Sequence, residues 1–251
     1  MSNWLSINQI NKHFNGVKAL QDFSCTIEKG EILGLIGPNG AGKTTLFNVL
    51  TGFIPANSGS VLFDGVDIRN KPAYRIANLG IARTFQNLRL IRQITALENV
   101  MLSFRRQLGE NLFNTFFRPK ISHKMESNNK EIAISMLEKF GLGGKINTPA
   151  SELSYGQQKL LSLICCLVSK ADLLLLDEPV AGIAPAMIEQ ILSIIADLPQ
   201  QGKSMIIIEH NLEAVMKVCG RVIFMDTGKK ICEGKPEQVR NDPRVIEAYL
   251  D

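Results

Sequence analysis

One glycine-rich segment constrains the fold of this 251-residue chain more than any other feature. Its residues are Gly37, Pro38, Asn39, Gly40, Ala41, Gly42, Lys43 and Thr44. The apolar run 31–36 before it predicts a buried strand, and the run 45–50 after it predicts the first turns of a helix. This strand–loop–helix arrangement is a P-loop, in which consecutive backbone N–H groups surround phosphate oxygens at the positive end of a helix. The sequence therefore predicts an α/β fold that binds a nucleoside triphosphate.

The last two residues of the P-loop carry the chemistry of the phosphate site. We expect the Lys43 ammonium to reach the β- and γ-phosphates and the Thr44 hydroxyl to bind Mg²⁺. The earlier residues of the loop are candidates for nucleotide binding through their backbone, and Thr45, which follows the loop, is a further candidate.

A second apolar run, 173–176, ends in the acidic pair Asp177 and Glu178. Such a run is typical of a parallel strand that is buried on both faces. Its acidic end places the carboxylates at the carboxyl edge of the sheet, where ligands of α/β folds bind. We predict that Asp177 holds Mg²⁺ through water. Glu178 is then the candidate general base, or polarising group, for the water that attacks the γ-phosphate.

The order of the other patterns predicts how the chain is organised. Alternation over 5–30 predicts antiparallel strands, and the Asp-Gly pair at 64–65 predicts a turn that closes another strand. A stretch of about 97–170 has helical periodicity, interrupted by a section, 108–127, that we interpret as irregular. The predicted fold class is α/β: a P-loop NTPase core with a mixed sheet, an antiparallel β subdomain and an inserted α-helical subdomain. We expect all of this to form one domain, 5–251.

The bulk composition is ordinary for a globular protein, with 45% hydrophobic and 21% charged residues. The net charge of +4 does not by itself indicate a nucleic-acid partner, and we predict none. The first residues lack the pattern of a signal peptide, and the longest uncharged apolar stretch, 160–168, is far below the ~20 residues that span a bilayer. We therefore expect a soluble chain that works at a membrane only through a partner.

The cysteines give no sign of a disulfide framework or a metal site. They are odd in number, form no C-x-x-C pair and have no histidine partners at metal-ligand spacing. Their positions are 25, 165, 166, 219 and 232. This pattern favours buried, reduced thiols.

A third motif lies shortly before the acidic strand and reads Leu153, Ser154, Tyr155, Gly156 and Gln157. Together with the P-loop and the acidic pair, it resembles the signature of the ATP-binding-cassette (ABC) ATPases, which usually reads Leu-Ser-Gly-Gly-Gln. The resemblance implies that Ser154, Gly156 and Gln157 cap the γ-phosphate of an ATP bound to the P-loop of a second cassette subunit. ATP and Mg²⁺ are the implied ligands, and ATP would join the two cassettes.

Three further residues match motifs of the ABC family. Gln86 matches the glutamine that senses Mg²⁺ and the attacking water and opens the loop that faces the membrane partner. His210 follows a predicted buried strand and matches the switch histidine that contacts the γ-phosphate. Phe14 matches the aromatic residue that stacks on adenine, although a phenylalanine here could equally pack in a strand. The implied catalytic residues are Glu178, His210 and Gln86, and the implied metal-binding residues are Thr44, Gln86 and Asp177.

The resemblance covers nearly the whole chain, and three runs point to one particular group within the family. The runs 81–90, 154–158 and 241–250 are similar to those of the branched-chain amino acid importer ATPases. One departure is Ala184, which stands where the family usually has a polar residue that bridges the two subunits, a hydrogen bond that a methyl group cannot make. A second departure is the unusually apolar run 159–166, which indicates either a more buried helix or a specialised partner surface.

A group of basic residues lies in and just before the section interpreted as irregular. They are Arg105, Arg106, Arg118, Lys120 and Lys124. Two interpretations stay open: a solvated insertion of the helical subdomain, or a surface near anionic lipid headgroups.

The leading interpretation is the ATP-hydrolysing subunit of an importer for a small solute, branched-chain or related amino acids. The implied partners are transmembrane permease subunits, a second cassette subunit that is identical or paralogous and, indirectly, a solute-binding protein. The implied location is the cytoplasmic face of the cell (inner) membrane, as a peripheral subunit. ATP would favour the closed dimer, and hydrolysis would reopen it. The alternatives are the ATPase of an exporter and a soluble cassette protein, for example one that acts in cofactor assembly.

Overall fold

The computed structural model describes residues 4–105 and 119–250. These residues group into two compact units. The first unit comprises the described residues up to 86, the segment 172–181 and the chain from 185 onward. The second unit comprises the described residues of 87–171 together with 182–184.

One sheet of the first unit is antiparallel. Its strands are β1 (Leu5–Phe14), β2 (Val17–Ile27), β4 (Ser58–Phe63) and β5 (Val66–Asp67), in the spatial order β2-β1-β4-β5. Buried residues alternate with less buried ones at the start of β1 and along the second half of β2, as at Phe23, Cys25 and Ile27. This alternation gives the sheet one covered face, as the sequence pattern predicted.

The other sheet of the first unit carries the predicted phosphate site. Its strands are β3 (Ile32–Ile36), β6 (Ile81–Arg83), β7 (Leu173–Asp177), β8 (Ser204–Ile208), β9 (Arg221–Asp226) and β10 (Lys229–Gly234). Their order is β10-β9-β3-β8-β7-β6, and all neighbours are parallel except β9 and β10. Every residue of β3, β7 and β8 is buried. The P-loop strand β3 and the acidic strand β7 therefore flank β8, and their carboxyl ends meet at one edge of the sheet.

The helices of the first unit connect these strands or follow the last of them. They are α1 (Lys43–Leu50), α2 (Ala73–Leu79), α6 (Pro185–Asp197), α7 (Leu212–Val218), α8 (Pro236–Arg240) and α9 (Pro243–Leu250). Helix α1 contributes Leu46, Phe47 and Leu50 to a core that also contains Ile7 of β1 and Phe23 of β2. Packing of these apolar side chains fixes the helix that begins at the P-loop.

The described residues of the second unit form three α-helices, α3 (Ala96–Met101), α4 (Pro119–Lys139) and α5 (Tyr155–Val168). Helix α4 corrects one prediction, because residues 119–127 of the section interpreted as irregular are helical. A proline disturbs the helical turn that precedes it, so Pro119 does not interrupt the helical residues that follow it, up to Lys139. The other part of that section, up to residue 118, lies outside the described residues.

Helix α5 is the apolar helix that the sequence left with two interpretations. Its buried residues are Lys159, Leu160, Leu161, Leu163, Ile164, Cys166 and Val168. This burial supports the interpretation of a more buried helix. Among the described helices, none is both long and apolar enough to cross a membrane.

Candidate phosphate and hydrolysis site

The glycines of the P-loop occupy positions where a side chain does not fit. Gly37 has φ +148°, and a Cβ atom there would lie 2.0 Å from the carbonyl oxygen of Met225. Gly42 has φ +98°, and its Cβ would lie 2.4 Å from the carbonyl oxygen of Ala19. Glycine is therefore required at both positions by backbone conformation and by close backbone approach.

Lys43, the first residue of α1, lies against the loop that precedes it. Its ammonium donates hydrogen bonds to the carbonyl oxygens of Gly37 at 2.6 Å and Pro38 at 2.9 Å. Burial lowers the pKa of Lys43, while the charges of Glu178 and Asp177 act to raise it. The cation is thus held by the P-loop and faces the acidic end of β7, where the sequence predicted the phosphates and the metal.

The first turn of α1 has the features of an anion site. Its N-cap, Gly42, carries no side chain that could occupy the helix N–H groups. Two threonines follow in this turn. Thr44 is exposed and Thr45 is half-buried. The helix dipole and these N–H groups favour a negative charge at this position.

Asp177 ends strand β7 and is buried. Its N–H donates to the hydroxyl of Thr84 at 3.0 Å, and its carboxylate oxygen Oδ2 accepts a hydrogen bond from Arg83 at 2.7 Å. Carboxylate and hydroxyl oxygens are ligands that Mg²⁺ prefers, and this ion takes its remaining ligands from phosphates and water. Asp177 and Thr44 therefore fit the predicted metal. Sequence reasoning did not identify the buried pair of Arg83 and Asp177.

Glu178 brings the three predicted catalytic side chains together. Its carboxylate oxygen Oε2 accepts a hydrogen bond from the Gln86 amide at 3.1 Å, and Oε1 lies 3.3 Å from Nε2 of His210. Its own N–H donates to the carbonyl of Ile208 at 2.9 Å. An acid held between a side-chain amide and an imidazole can orient and deprotonate a water molecule. The catalytic roles of these residues stay a prediction.

Glu209 is a second buried acid at this edge, and sequence reasoning missed it. It directly follows β8 and is only 2% exposed. Its oxygen Oε1 accepts the N–H of Val180 at 2.8 Å, and Oε2 accepts the N–H of His210 at 3.2 Å. This carboxylate therefore ties the segment after Glu178 to the segment that carries His210. An acid placed directly after an all-apolar strand is the signal that could have found it.

Phe14 lies at the end of β1 and is 44% exposed. The ammonium of Lys12 lies 4.9 Å from the centre of its ring. The exposed ring argues against the alternative in which Phe14 packs within the strand, and it is compatible with stacking on a base.

The predicted signature residues lie in the second unit, at the start of α5. Ser154 is the N-cap: its hydroxyl accepts the N–H of Gln157 at 3.3 Å, and the Gln157 side chain accepts the N–H of Ser154 at 3.0 Å. This reciprocal capping box fixes the helix start and leaves Gly156 in its first turn. Ala184, in the same unit, is exposed.

Comparison with known proteins finds similarity to ATP-binding cassettes of transporters along most of the chain. A family model described as ABC transporter matches residues 20–181, and one described as branched-chain amino acid ATP-binding cassette transporter matches residues 229–250. The chain is 37% identical to the high-affinity branched-chain amino acid transport ATP-binding protein LivG of Escherichia coli, over 98% of this chain and 97% of LivG. It is 35% identical to BraF of Pseudomonas aeruginosa, a protein of the same description, with the same coverage. A probable LivG of Archaeoglobus fulgidus is 39% identical over 98% of this chain and 95% of that protein.

Two solved structures are similar over the whole chain. One is a nucleotide-free ATP-binding cassette from an ABC transporter, with a TM-score of 0.86, 35% identity and coverage of 100% of both chains. The other is an ATP-binding cassette of an ABC transporter in its ADP conformation, with a TM-score of 0.84, 34% identity and coverage of 100% of this chain and 99% of that chain.

Proposed function

Because the chain belongs to the ABC transporter ATPase family, we propose that it is the ATP-hydrolysing subunit of an importer for branched-chain or related amino acids. The observation that carries this proposal is the similarity to branched-chain amino acid transport ATP-binding proteins at 35–39% identity over nearly the full length. The C-terminal match at 229–250 supports the same narrower group.

The geometry of the first unit supports separate roles for its residues in phosphate binding, metal binding and activation of water. Lys43 and the N–H groups of the P-loop bind the phosphates, and Thr44 and Asp177 would hold Mg²⁺. When bound, Mg²⁺ neutralises charge on the phosphate oxygens. Glu178 accepts a proton from the attacking water or polarises it, while Gln86 and His210 fix the position of its two carboxylate oxygens.

The proposed partners are transmembrane permease subunits and a second cassette subunit, with the chain placed peripherally at the cytoplasmic face of the membrane. The proposed docking segment for a permease is 86–98. Within its second-unit part, Ile91 is 47% exposed and Leu90 is half-buried. The side chain of Asn99 holds this segment, because it accepts the N–H of Ile91 at 2.9 Å and donates to the Ile91 carbonyl at 3.0 Å. An ordered, partly exposed apolar segment is suited to receive a short helix of a partner.

A charge placed at Leu90 tests this assignment. We expect the wild-type chain to fractionate with membranes when the proposed permease subunits are co-expressed, and the Leu90→Asp variant to be released from those membranes. The ATPase activity of the free Leu90→Asp protein should equal that of the wild type. The matched control is Leu102→Asp, because Leu102 is 61% exposed in the same unit but outside the docking segment.

Two results would contradict the proposal. The first is a wild-type chain that stays in the soluble fraction although its permeases are present. The second is a Leu90→Asp variant that binds the membranes as tightly as wild type and the Leu102→Asp control.

A further inference from the structure

Arg83 is a buried cation that contacts two elements of the phosphate site. It is the last residue of β6, and its side chain is only 5% exposed. One guanidinium nitrogen donates to Oδ2 of Asp177 at 2.7 Å, and another donates to the side-chain oxygen of Asn48 on α1 at 2.6 Å. The guanidinium carbon lies 5.2 Å from the ring centre of Phe47 and 4.9 Å from that of Phe85.

This arrangement suits arginine and no other cation. A guanidinium is planar and forked, so it can bind a carboxylate and an amide at once while its faces lie over aromatic rings. A lysine at the same position would offer one compact charge and could not keep both hydrogen bonds and the ring contacts. The partner Asp177 is 4% exposed, so both charges of the pair are largely removed from bulk solvent.

The contacts around Arg83 fix the orientation of the Asp177 carboxylate. Arg83 binds one carboxylate oxygen, Oδ2, so the ion pair does not use the other oxygen, Oδ1, which would be the one available to the predicted magnesium site. The Thr84 hydroxyl fixes the backbone N–H of Asp177 at 3.0 Å, so both the main chain and one side-chain oxygen are held. Through Asn48, the same guanidinium is anchored to the helix that begins at Lys43. Partners that orient a ligand in this way strengthen metal binding by fixing its rotamer.

We propose that Arg83 is a positioning residue that orients the Asp177 carboxylate for the magnesium ion of the bound nucleotide and sets its position relative to α1. This inference rests on the proposed function, since it takes Asp177 as the metal-holding residue. It predicts that Arg83 acts on the part of nucleotide affinity that depends on Mg²⁺ and leaves the metal-free part unchanged.

The test measures the affinity for a non-hydrolysable ATP analogue by calorimetry, once with EDTA and once at stepwise Mg²⁺ concentrations. We expect Arg83→Lys to raise the Mg²⁺ concentration needed for half-maximal enhancement by about 10-fold, with unchanged affinity in EDTA. In a protein that already carries Asp177→Asn, adding Arg83→Lys should not change the Mg²⁺ dependence further, because the carboxylate that Arg83 orients is gone. The matched control is Arg75→Lys, since Arg75 also lies over an aromatic ring, at 5.9 Å from Tyr74, but is exposed.

The outcomes separate this inference from the proposed function. Wild-type Mg²⁺ dependence in Asp177→Asn would overturn the metal assignment of the proposed function itself. If Asp177→Asn loses the Mg²⁺ dependence but Arg83→Lys keeps the wild-type Mg²⁺ dependence, only the role of Arg83 is overturned. If Arg83→Lys does not fold, Asn48→Ala decides, because it removes only the second anchor of the guanidinium. If Asn48→Ala needs a higher Mg²⁺ concentration for half-maximal enhancement, the inference is supported. If it needs the same concentration as wild type, the inference is overturned.

Discussion

The backbone of Glu178 adopts φ +49°, a left-handed conformation that is uncommon for a residue with a side chain. Such a conformation costs of order 1–3 kcal/mol and persists where the surrounding structure holds it. Here the N–H of Glu178 donates to the carbonyl of Ile208, the last residue of β8, at 2.9 Å. In this conformation the carboxylate contacts both Gln86 and His210, the two contacts that the proposed hydrolysis uses.

Glu209 provides a prediction at the same scale, because its carboxylate accepts two backbone N–H groups at a site away from water. In Glu209→Gln the amide has one acceptor oxygen, so one of the N–H groups of Val180 and His210 faces an NH₂ group instead. We expect the free energy of unfolding to fall by ~1–3 kcal/mol. We also expect kcat to fall more than the affinity for ATP, because Glu209 no longer holds the segment after Glu178 and the segment of His210 in a fixed relative position.

Urea unfolding and steady-state ATPase assays on the purified variant check this. The control is Glu189→Gln, since Glu189 is an exposed acid on α6 whose pair with Lys217 lies on the surface. A Glu209→Gln protein as stable and as active as that control would show that the two hydrogen bonds have no such role.

At the scale of elements, the features that the sequence predicted are those set by local chemistry. The strands β3 and β7 were predicted from short apolar runs, and all their residues are buried. The Asp-Gly pair at 64–65 forms a two-residue turn between β4 and β5 in which both residues have positive φ, +48° and +76°. Both residues of a type I′ hairpin turn need positive φ, which is why this dipeptide is so informative.

The features that the sequence could not give depend on which strands become neighbours. Arg83 and Asp177 are 94 residues apart in the chain, and Val180 and Glu209 are 29 apart. The first pair meets because β6 lies beside β7, and the second because β7 lies beside β8. Periodicity predicts each strand but not the order of strands in a sheet, so these contacts were not predictable from local patterns.

Helix α5 carries a prediction on thiol chemistry. Burial raises the pKa of Cys165 to about 11 and that of Cys166 to about 12, from an ordinary 9.0. We therefore expect neither thiol to react with iodoacetamide at pH 8 in the folded protein, and both to react after unfolding in urea. Mass spectrometry of the peptides identifies each modified cysteine, and rapid labelling of Cys166 in the folded protein would contradict the burial of α5.

The same shifts give a pH dependence of stability. Because the folded pKa lies above the unfolded one, the folded state keeps protons that the unfolded state releases between pH 9 and about 12. The free energy of unfolding should therefore fall as pH rises through this range. Cys166→Ala should make that fall less steep in urea unfolding at pH 8 and pH 10.

At the scale of the whole molecule, the similarity to transport ATPases extends over 98% of the chain, while the site geometry that supports hydrolysis lies in the first unit. The sequence motifs were sufficient to identify the family. They do not identify the solute, which in the proposed function is bound by other subunits. The proposed uptake of branched-chain amino acids therefore has to be measured with those subunits present.

The most direct measurement is uptake of labelled leucine, isoleucine and valine into vesicles that contain the proposed permease subunits and solute-binding protein together with this chain. We predict uptake that requires ATP. Glu178→Gln should lower both uptake and ATP hydrolysis by ~10²-fold or more while the variant still binds ATP. Uptake by the Glu178→Gln protein at the wild-type rate, or ATP hydrolysis by the wild-type complex without uptake of any of these amino acids, would contradict the account.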